Sequence, residues 1–264
     1  MLQPAKTAID ILRALPKGRL QEKIFFMHLP KCGGSSIARA IQNAYGFRGR
    51  LKQWMFGISP GSSHQAADLL GMPTHIYREL LLLYAMGHPQ YRFIKGHVQY
   101  SEAAFEAFGD SWKFITVFRD PVSKWFSEYF YNRHKSSPHA KVLAELPTFV
   151  ASEAANKYGN DYVRYLVSDK ERTDWDSEEA IENAIANLDH FAVVGILEDM
   201  DRFVTDFRKR FGTELYIGRQ NRNPVAKRRQ ADQITEDIKQ EVERICRPNL
   251  AIYHHARRKL AEAL

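Results

Sequence analysis

The 264-residue chain carries a formal net charge of +7 and is 44% hydrophobic, an ordinary globular composition long enough for one large α/β domain or two small ones. Its two cysteines, Cys32 and Cys246, exclude a disulfide framework and a cysteine-rich zinc site. The positive balance fits an anionic ligand, but no run shows the basic arm with interleaved aromatics that a nucleic-acid partner would need.

The N-terminus, Met1-Leu2-Gln3-Pro4-Ala5-Lys6, lacks the basic start and apolar core of a signal peptide. No apolar run approaches membrane-spanning length. The expectation is a soluble, cytoplasmic protein with no membrane span. Thr7 to Leu15 has a weak helical pattern closed by Pro16 and Gly18. Ile24 to Leu29 is a short apolar run, long enough for one buried strand of a parallel sheet. Pro30 ends it, Gly33 and Gly34 allow a sharp turn, and Ser35 or Ser36 is a good N-cap. Ile37, Ala40, Ile41 and Ala44 then recur at helical spacing, with Gly46 placed to stop the helix. A strand, a glycine turn and a capped helix present backbone N–H groups and a positive dipole end to a phosphate.

Phe47 to Thr74 reads as a long connection without clear periodicity, the kind of loop that serves as a lid or binding loop. A helix is expected over Ile76–Met86 and a strand over Tyr91–His97. A helix with an Ala/Phe face follows, then a β-rich strand over Trp112–Phe118. Pro121 suits the first turn of a helix running to about His134. Short helical pieces fill Lys141–Arg172, and a helix capped by Ser177 runs to Leu188. A buried strand covers His190–Leu197 and an amphipathic helix Asp199–Phe211. A polar, basic loop and two helices interrupted at Pro248 close the chain.

Strands alternating with helices predict a three-layer α/β sandwich with a mostly parallel central sheet. Ligands of such sheets bind beyond the carboxyl ends of the strands. Lys31, His97 and Arg119 each sit just past a predicted strand end, so they should converge on one edge.

Three motifs carry a resemblance. They are Pro30-Lys31-Cys32-Gly33-Gly34-Ser35-Ser36, then Gly96-His97-Val98-Gln99-Tyr100, then the stretch from Phe118-Arg119-Asp120-Pro121 to Ser127-Glu128-Tyr129. In order and spacing the chain resembles the sulfotransferases that use 3′-phosphoadenosine 5′-phosphosulfate (PAPS), most closely the carbohydrate branch with the heparan and uronyl 2-O-sulfotransferases. Weaker echoes occur at Asn160–Leu166, Val194–Glu198 and Asn249–Tyr253. Gly34 departs from the Ser or Thr common in that family. The segments Phe47–Thr74 and Lys135–Asn156 match nothing in it.

The resemblance implies a single P-loop-NTPase-like sulfotransferase domain. Its nucleotide-binding core would span about 23–130 and 190–211, with acceptor-side insertions at about 47–74 and 135–175. It implies transfer of the PAPS sulfonate to an acceptor hydroxyl on a carbohydrate, with an anionic glycan as a candidate acceptor, leaving PAP. Lys31 would place its ammonium on the bridging oxygen. Cys32, Gly33, Gly34, Ser35 and Ser36 would hold the 5′-phosphate, and Arg119 with Ser127 the 3′-phosphate. His97 would be the general base, with a reference pKa of about 6.5 that suits it to accept a proton at neutral pH. His28 is held in reserve. No cluster has metal-ligand spacing, so no metal is expected. The basic loop Arg219–Arg229 would close over the nucleotide or bind an anionic acceptor. Two alternatives stand beside this reading. A P-loop kinase is disfavoured because Lys31 precedes the glycines, whereas the ATP motif has Lys after them. A non-catalytic anion- or glycan-binding module would keep the fold without turnover.

Overall fold

The computed structural model describes residues 20–136, 139–169, 171–218 and 232–262. The helical pattern at Thr7–Leu15, part of the Ser136–Pro138 turn and the basic loop Arg219–Arg229 lie outside the described residues. In chain order the elements are β1 (Lys23–Met27), α1 (Gly34–Ala44), α2 (Gly46–Arg50), β2 (Met55–Ile58), α3 (Pro60–Leu69), α4 (Thr74–Gly87), β3 (Phe93–Gly96), α5 (Glu102–Phe108) and β4 (Trp112–Phe118). There follow α6 (Pro121–His134), α7 (Leu146–Val150), α8 (Glu153–Gly159), α9 (Asp161–Leu166), α10 (Glu178–Asn187), β5 (Phe191–Ile196), α11 (Met200–Phe211), α12 (Glu236–Ile245) and α13 (Arg247–Glu262).

The five strands form one sheet in the order β2-β3-β1-β4-β5, and every pairing is parallel. β1 is central and apolar on both faces because helices cover both. Phe25 and Met27 enter the core under α4, α9, α10 and α13, while Ile24 and Phe26 enter the core under α1 and α11. In α1, Ile37 and Ile41 are almost fully buried, each contributing about 1.5–3 kcal/mol of apolar burial. A third apolar cluster joins α6, α7, α8 and α12 around Trp125, Tyr129 and Phe149.

The topology explains where a ligand would sit. The crossover from β1 to β2 runs over one face through α1, and that from β3 to β4 runs the other way over the opposite face through α5. Right-handed crossovers require this change of face when the direction reverses. The reversal opens a crevice at the carboxyl ends of β1 and β3.

Two expectations need correction. Phe47–Thr74 is not a structureless connection: it holds α2, the edge strand β2 and α3. β2 is only four residues long and contains Gly57, so it has no periodicity to read. Helix α1 begins at Gly34 with Gly33 as its N-cap, not Ser35 or Ser36. Gly33 adopts φ 74° and the Ser36 N–H donates to its carbonyl at 3.2 Å, so the first turn closes on the glycine.

Candidate active site

Beyond the sheet edge the chain leaves β1 through His28, Leu29, Pro30 and Lys31. Lys31 takes φ 61° and Gly33 φ 74°, so the loop makes two left-handed steps before α1. A side chain on Gly33 would also meet Leu197 Cδ1 at 2.7 Å. α1 has no side-chain cap and no acidic residue in its first turn. Its leading N–H groups and dipole therefore face the loop with no acidic side chain of the helix to compete with an anion. Ser35 is exposed and Ser36 half-buried beside them.

His28 explains the departure at position 34. A Cβ on Gly34 would lie 2.0 Å from His28 Cδ2 and 2.1 Å from Nε2. The imidazole occupies the space that a Ser or Thr would need. That ring stacks on Phe26, with centroids 5.6 Å apart, and meets the His97 ring at 4.5 Å. Burial, with His97 and Lys95 nearby, lowers its pKa to about 3. Gly34→Ala should therefore destabilise the fold by about 1–3 kcal/mol in denaturant unfolding, the usual penalty of overpacking. Gly61→Ala, where a Cβ meets nothing within 4 Å, should be neutral or slightly stabilising. Equal effects at both positions would contradict the packing account.

His97 follows β3. Its Nδ1 lies 2.6 Å from the His28 carbonyl oxygen. A carbonyl only accepts, so Nδ1 carries the proton and Nε2 keeps its lone pair. Burial lowers the His97 pKa, against the His28 hydrogen bond that raises it. The neutral imidazole is thus the prevailing form at neutral pH.

Arg119 follows β4. Its Nη1 donates to the Lys31 carbonyl at 3.3 Å, tying this strand end to the glycine loop. Tyr162 of α9 clamps the same residue: its hydroxyl donates to the Arg119 carbonyl at 2.7 Å and accepts from the Arg119 N–H at 3.1 Å. The Cys32 thiol turns inward to within 3.5 Å of that hydroxyl, and burial pushes its pKa up to about 11. It packs as a small hydrophobe and offers the site only its backbone.

The Lys31 ammonium lies 3.9 Å from the centre of the Tyr131 ring. Burial lowers its pKa; Glu128 opposes that shift, while Arg119 and Lys124 add to it. Ser127 is half-buried on the same helix, but among the described residues no hydrogen bond joins it to Arg119. Lys124 was not singled out by sequence. It is fully buried, 2.7 Å from Glu128 and 2.5 Å from Asp161. Burial works against its charge, yet Asp161 and Glu128 outweigh it and hold the ammonium above the ordinary lysine range.

His97 also borders a cavity of about 180 Å³, together with His75, Arg78, Gln99, Asp161, Arg164 and Tyr165. The strand ends thus bring Lys31, Gly33, Gly34, His97 and Arg119 to one edge, with the glycine loop reached from His97 through His28 and a polar cavity bordered by His97. Among the described residues no cluster of His, Cys, Asp and Glu suits a metal ion, and no helix is long and apolar enough to cross a membrane.

This arrangement defines a parallel, three-layer α/β protein with a glycine loop and an uncapped helix start at its topological switch point. No protein-family model and no curated protein matches the chain. Among solved structures it is similar to mouse sulfotransferase SULT7A1 complexed with PAP, at 16% identity and a TM-score of 0.39, over 86% of this chain and 70% of that one. It is also similar to retinol dehydratase in complex with androsterone and inactive cofactor PAP, at 15% identity and a TM-score of 0.29, over 86% and 80% of the two chains. These are distant likenesses of fold, and the chemistry rests on the residues above.

Proposed function

We propose that this protein transfers the sulfonate of PAPS to a hydroxyl of a carbohydrate acceptor. The observation that supports this best is the His97 tautomer: Nδ1 is held by the His28 carbonyl and the ring borders the polar cavity. The residues fit the donor, since the uncapped start of α1 suits a 5′-phosphate and the Arg119 guanidinium beside the loop suits a second one. In the transfer, the acceptor oxygen bonds to sulfur while the bond from sulfur to the bridging oxygen breaks. The electron pair of that bond stays on the 5′-phosphate of PAP, and the acceptor proton passes to His97 Nε2. Lys31 leaves Tyr131 to stabilise charge on the departing oxygen. Gly33, Gly34, Ser35 and Ser36 hold the 5′-phosphate; Arg119 and Ser127 hold the 3′-phosphate.

The unmatched segment Phe47–Thr74 borders the acceptor side in this reading, since Arg78 of the cavity wall donates to the Ser63 hydroxyl and the Pro60 carbonyl of α3; Asp161, Arg164 and Tyr165 of the same wall come from the echo at Asn160–Leu166. A thermal-shift comparison tests the donor. PAP at about a hundred times its dissociation constant should add about 2.7 kcal/mol, and ATP, which has no 3′-phosphate, should add clearly less. Equal shifts would overturn the assignment. PAP binding without turnover on any hydroxylated acceptor would favour the non-catalytic module.

A further inference from the structure

Between Glu22 and Asp68 the chain carries six Lys or Arg residues and no Asp or Glu. The fold gathers part of this stretch into a patch at the amino ends of β2 and β3, the end of the sheet opposite the edge that holds Lys31, His97 and Arg119. There the Trp54 carbonyl accepts from the Arg92 and Phe93 N–H groups at 2.9 and 3.0 Å. The Arg48 and Arg92 guanidinium carbons lie 5.3 and 5.4 Å from the centre of the Trp54 ring. Lys95 extends the patch along β3, beside Gly57 of β2. Burial lowers its pKa, and the nearby charges of Lys52 and Arg39 add to that shift. Among the described residues none of Arg39, Arg48, Lys52, Arg92 and Lys95 forms an ion pair with a carboxylate. A surface of one sign over this width attracts an external anion.

Two apolar side chains stand out of the same patch. Phe47 is 74% exposed and Leu51 52%. The Leu51 N–H donates to the Phe47 carbonyl at 3.0 Å, so the two lie one helical turn apart on one face. Arg48 and Lys52, each next to one of them in the chain, are exposed as well. The turn that carries them is tied down. Gly49 is buried against α1, where a Cβ would lie 2.2 Å from the Gln42 carbonyl oxygen. The Gln42 amide and the Lys52 N–H both donate to the Gly49 carbonyl, at 3.0 and 2.9 Å. The fold therefore holds a phenyl ring and a leucine side chain in water, among cations that have no carboxylate of their own.

We propose that this patch docks the protein on an anionic phospholipid surface, with Phe47 and Leu51 entering the interface and Arg48, Lys52 and Arg92 meeting the lipid headgroups. A bilayer surface uses both features: its interface takes the apolar side chains and its negative potential takes the cations. A soluble polyanion would use the cations alone and leave Phe47 and Leu51 in water. Among the described residues no helix is long and apolar enough to cross a membrane, so the contact is peripheral. It would leave the carboxyl edge of the sheet free, and it does not depend on the sulfonate-transfer reading.

Cosedimentation with vesicles tests the proposal. The parent should bind vesicles of equimolar phosphatidylcholine and phosphatidylserine at low ionic strength, and added salt should weaken the binding. Phosphatidylcholine alone should bind about tenfold or more weakly. The double variant Phe47→Ser, Leu51→Ser keeps every charge and should lose about tenfold or more in affinity for the mixed vesicles. Arg48→Gln with Lys52→Gln should lose about as much. All four side chains are exposed, so Tm and the thermal shift with PAP should match the parent's. No binding to the mixed vesicles, or binding unchanged in the Phe47→Ser, Leu51→Ser variant, overturns the proposal. So does binding to heparin or duplex DNA without binding to vesicles, which would assign the cations to a soluble polyanion. A dimer in solution that the same double variant dissociates, with no vesicle binding, would assign the patch to a second copy of the chain and overturn it equally.

Discussion

Replacing His97 by alanine should cut turnover about a hundred- to ten-thousand-fold, the usual contribution of a general base, and leave PAP affinity nearly unchanged. The imidazole borders the cavity proposed for the acceptor, and among the described residues the glycine loop and Arg119 that would hold the nucleotide do not depend on it for a hydrogen bond. His97→Gln is the sharper variant. Its amide can still donate to the His28 carbonyl, so the packing of the two strand ends is kept, but it cannot take a proton. Both variants should lose activity alike. The pH profile carries a second signature. Burial holds the His97 pKa below the ordinary value, and the base works only when neutral. The acid limb of kcat/KM should therefore lie below about pH 6.5. Activity within tenfold of the parent in His97→Gln would remove His97 from the role. Asp161, on the wall of the same cavity, would then be examined next. The reserve candidate His28 is the poorer choice, because its ring is packed against Gly34 and Phe26 and its pKa near 3 makes it a weak base.

Most of the sheet was legible because its strands are the strong kind. Lys23–Met27 and Trp112–Phe118 are apolar on both faces and end in Pro or Arg-Asp-Pro, and the structure places them within a residue or two of the expected bounds. β2 was missed because an edge strand of four residues with a central glycine has neither length nor alternation. The convergence of Lys31, His97 and Arg119 followed from topology alone. Their supports did not, because they depend on contacts across long separations. Tyr162 binds Arg119 over 43 positions, its N–H donates to Asn249 Oδ1 over 87, and Tyr253 donates to Glu198 over 55. These contacts bring the three faint echoes, at 160–166, 194–198 and 249–253, against one another and against the Arg119–Asp120 corner. Asp120 adds the last link, its N–H donating to Glu198 Oε1 at 3.1 Å. Lys124 had one visible signal. Lys124, Glu128 and Tyr131 recur at i, i+4 and i+7, a stripe that in a helix over Pro121–His134 faces one direction. A charged pair inside such a stripe marks a polar interior.

Lys124→Met should destabilise the protein by about 3–5 kcal/mol near neutral pH, the range for removing one partner of a buried ion pair. Methionine fills nearly the same volume, so the loss is electrostatic. The Lys124 ammonium is 0% exposed and contacts both Glu128 and Asp161; without it two nearly buried carboxylates face each other. The sign of the pH dependence follows. Burial already pushes Asp161 up to about 6 even with Lys124 beside it, and without the ammonium the Asp161 pKa must rise further. A group whose folded pKa exceeds its unfolded value of about 4 binds protons more readily when folded, so acid favours the folded state. The deficit of Lys124→Met relative to the parent should therefore be largest near pH 8 and shrink toward pH 5. The acid destabilisation from His28, which folds neutral and must charge below about pH 6.5, acts on both proteins and cancels in the difference. The triple variant Lys124→Met, Glu128→Gln, Asp161→Asn should regain much of the lost stability, since no uncompensated charge remains. Denaturant unfolding at both pH values measures all three proteins. A deficit that is independent of pH, or a triple variant no more stable than Lys124→Met, would mean that the buried ammonium acts through packing and not as the counter-charge of the α6–α9 junction.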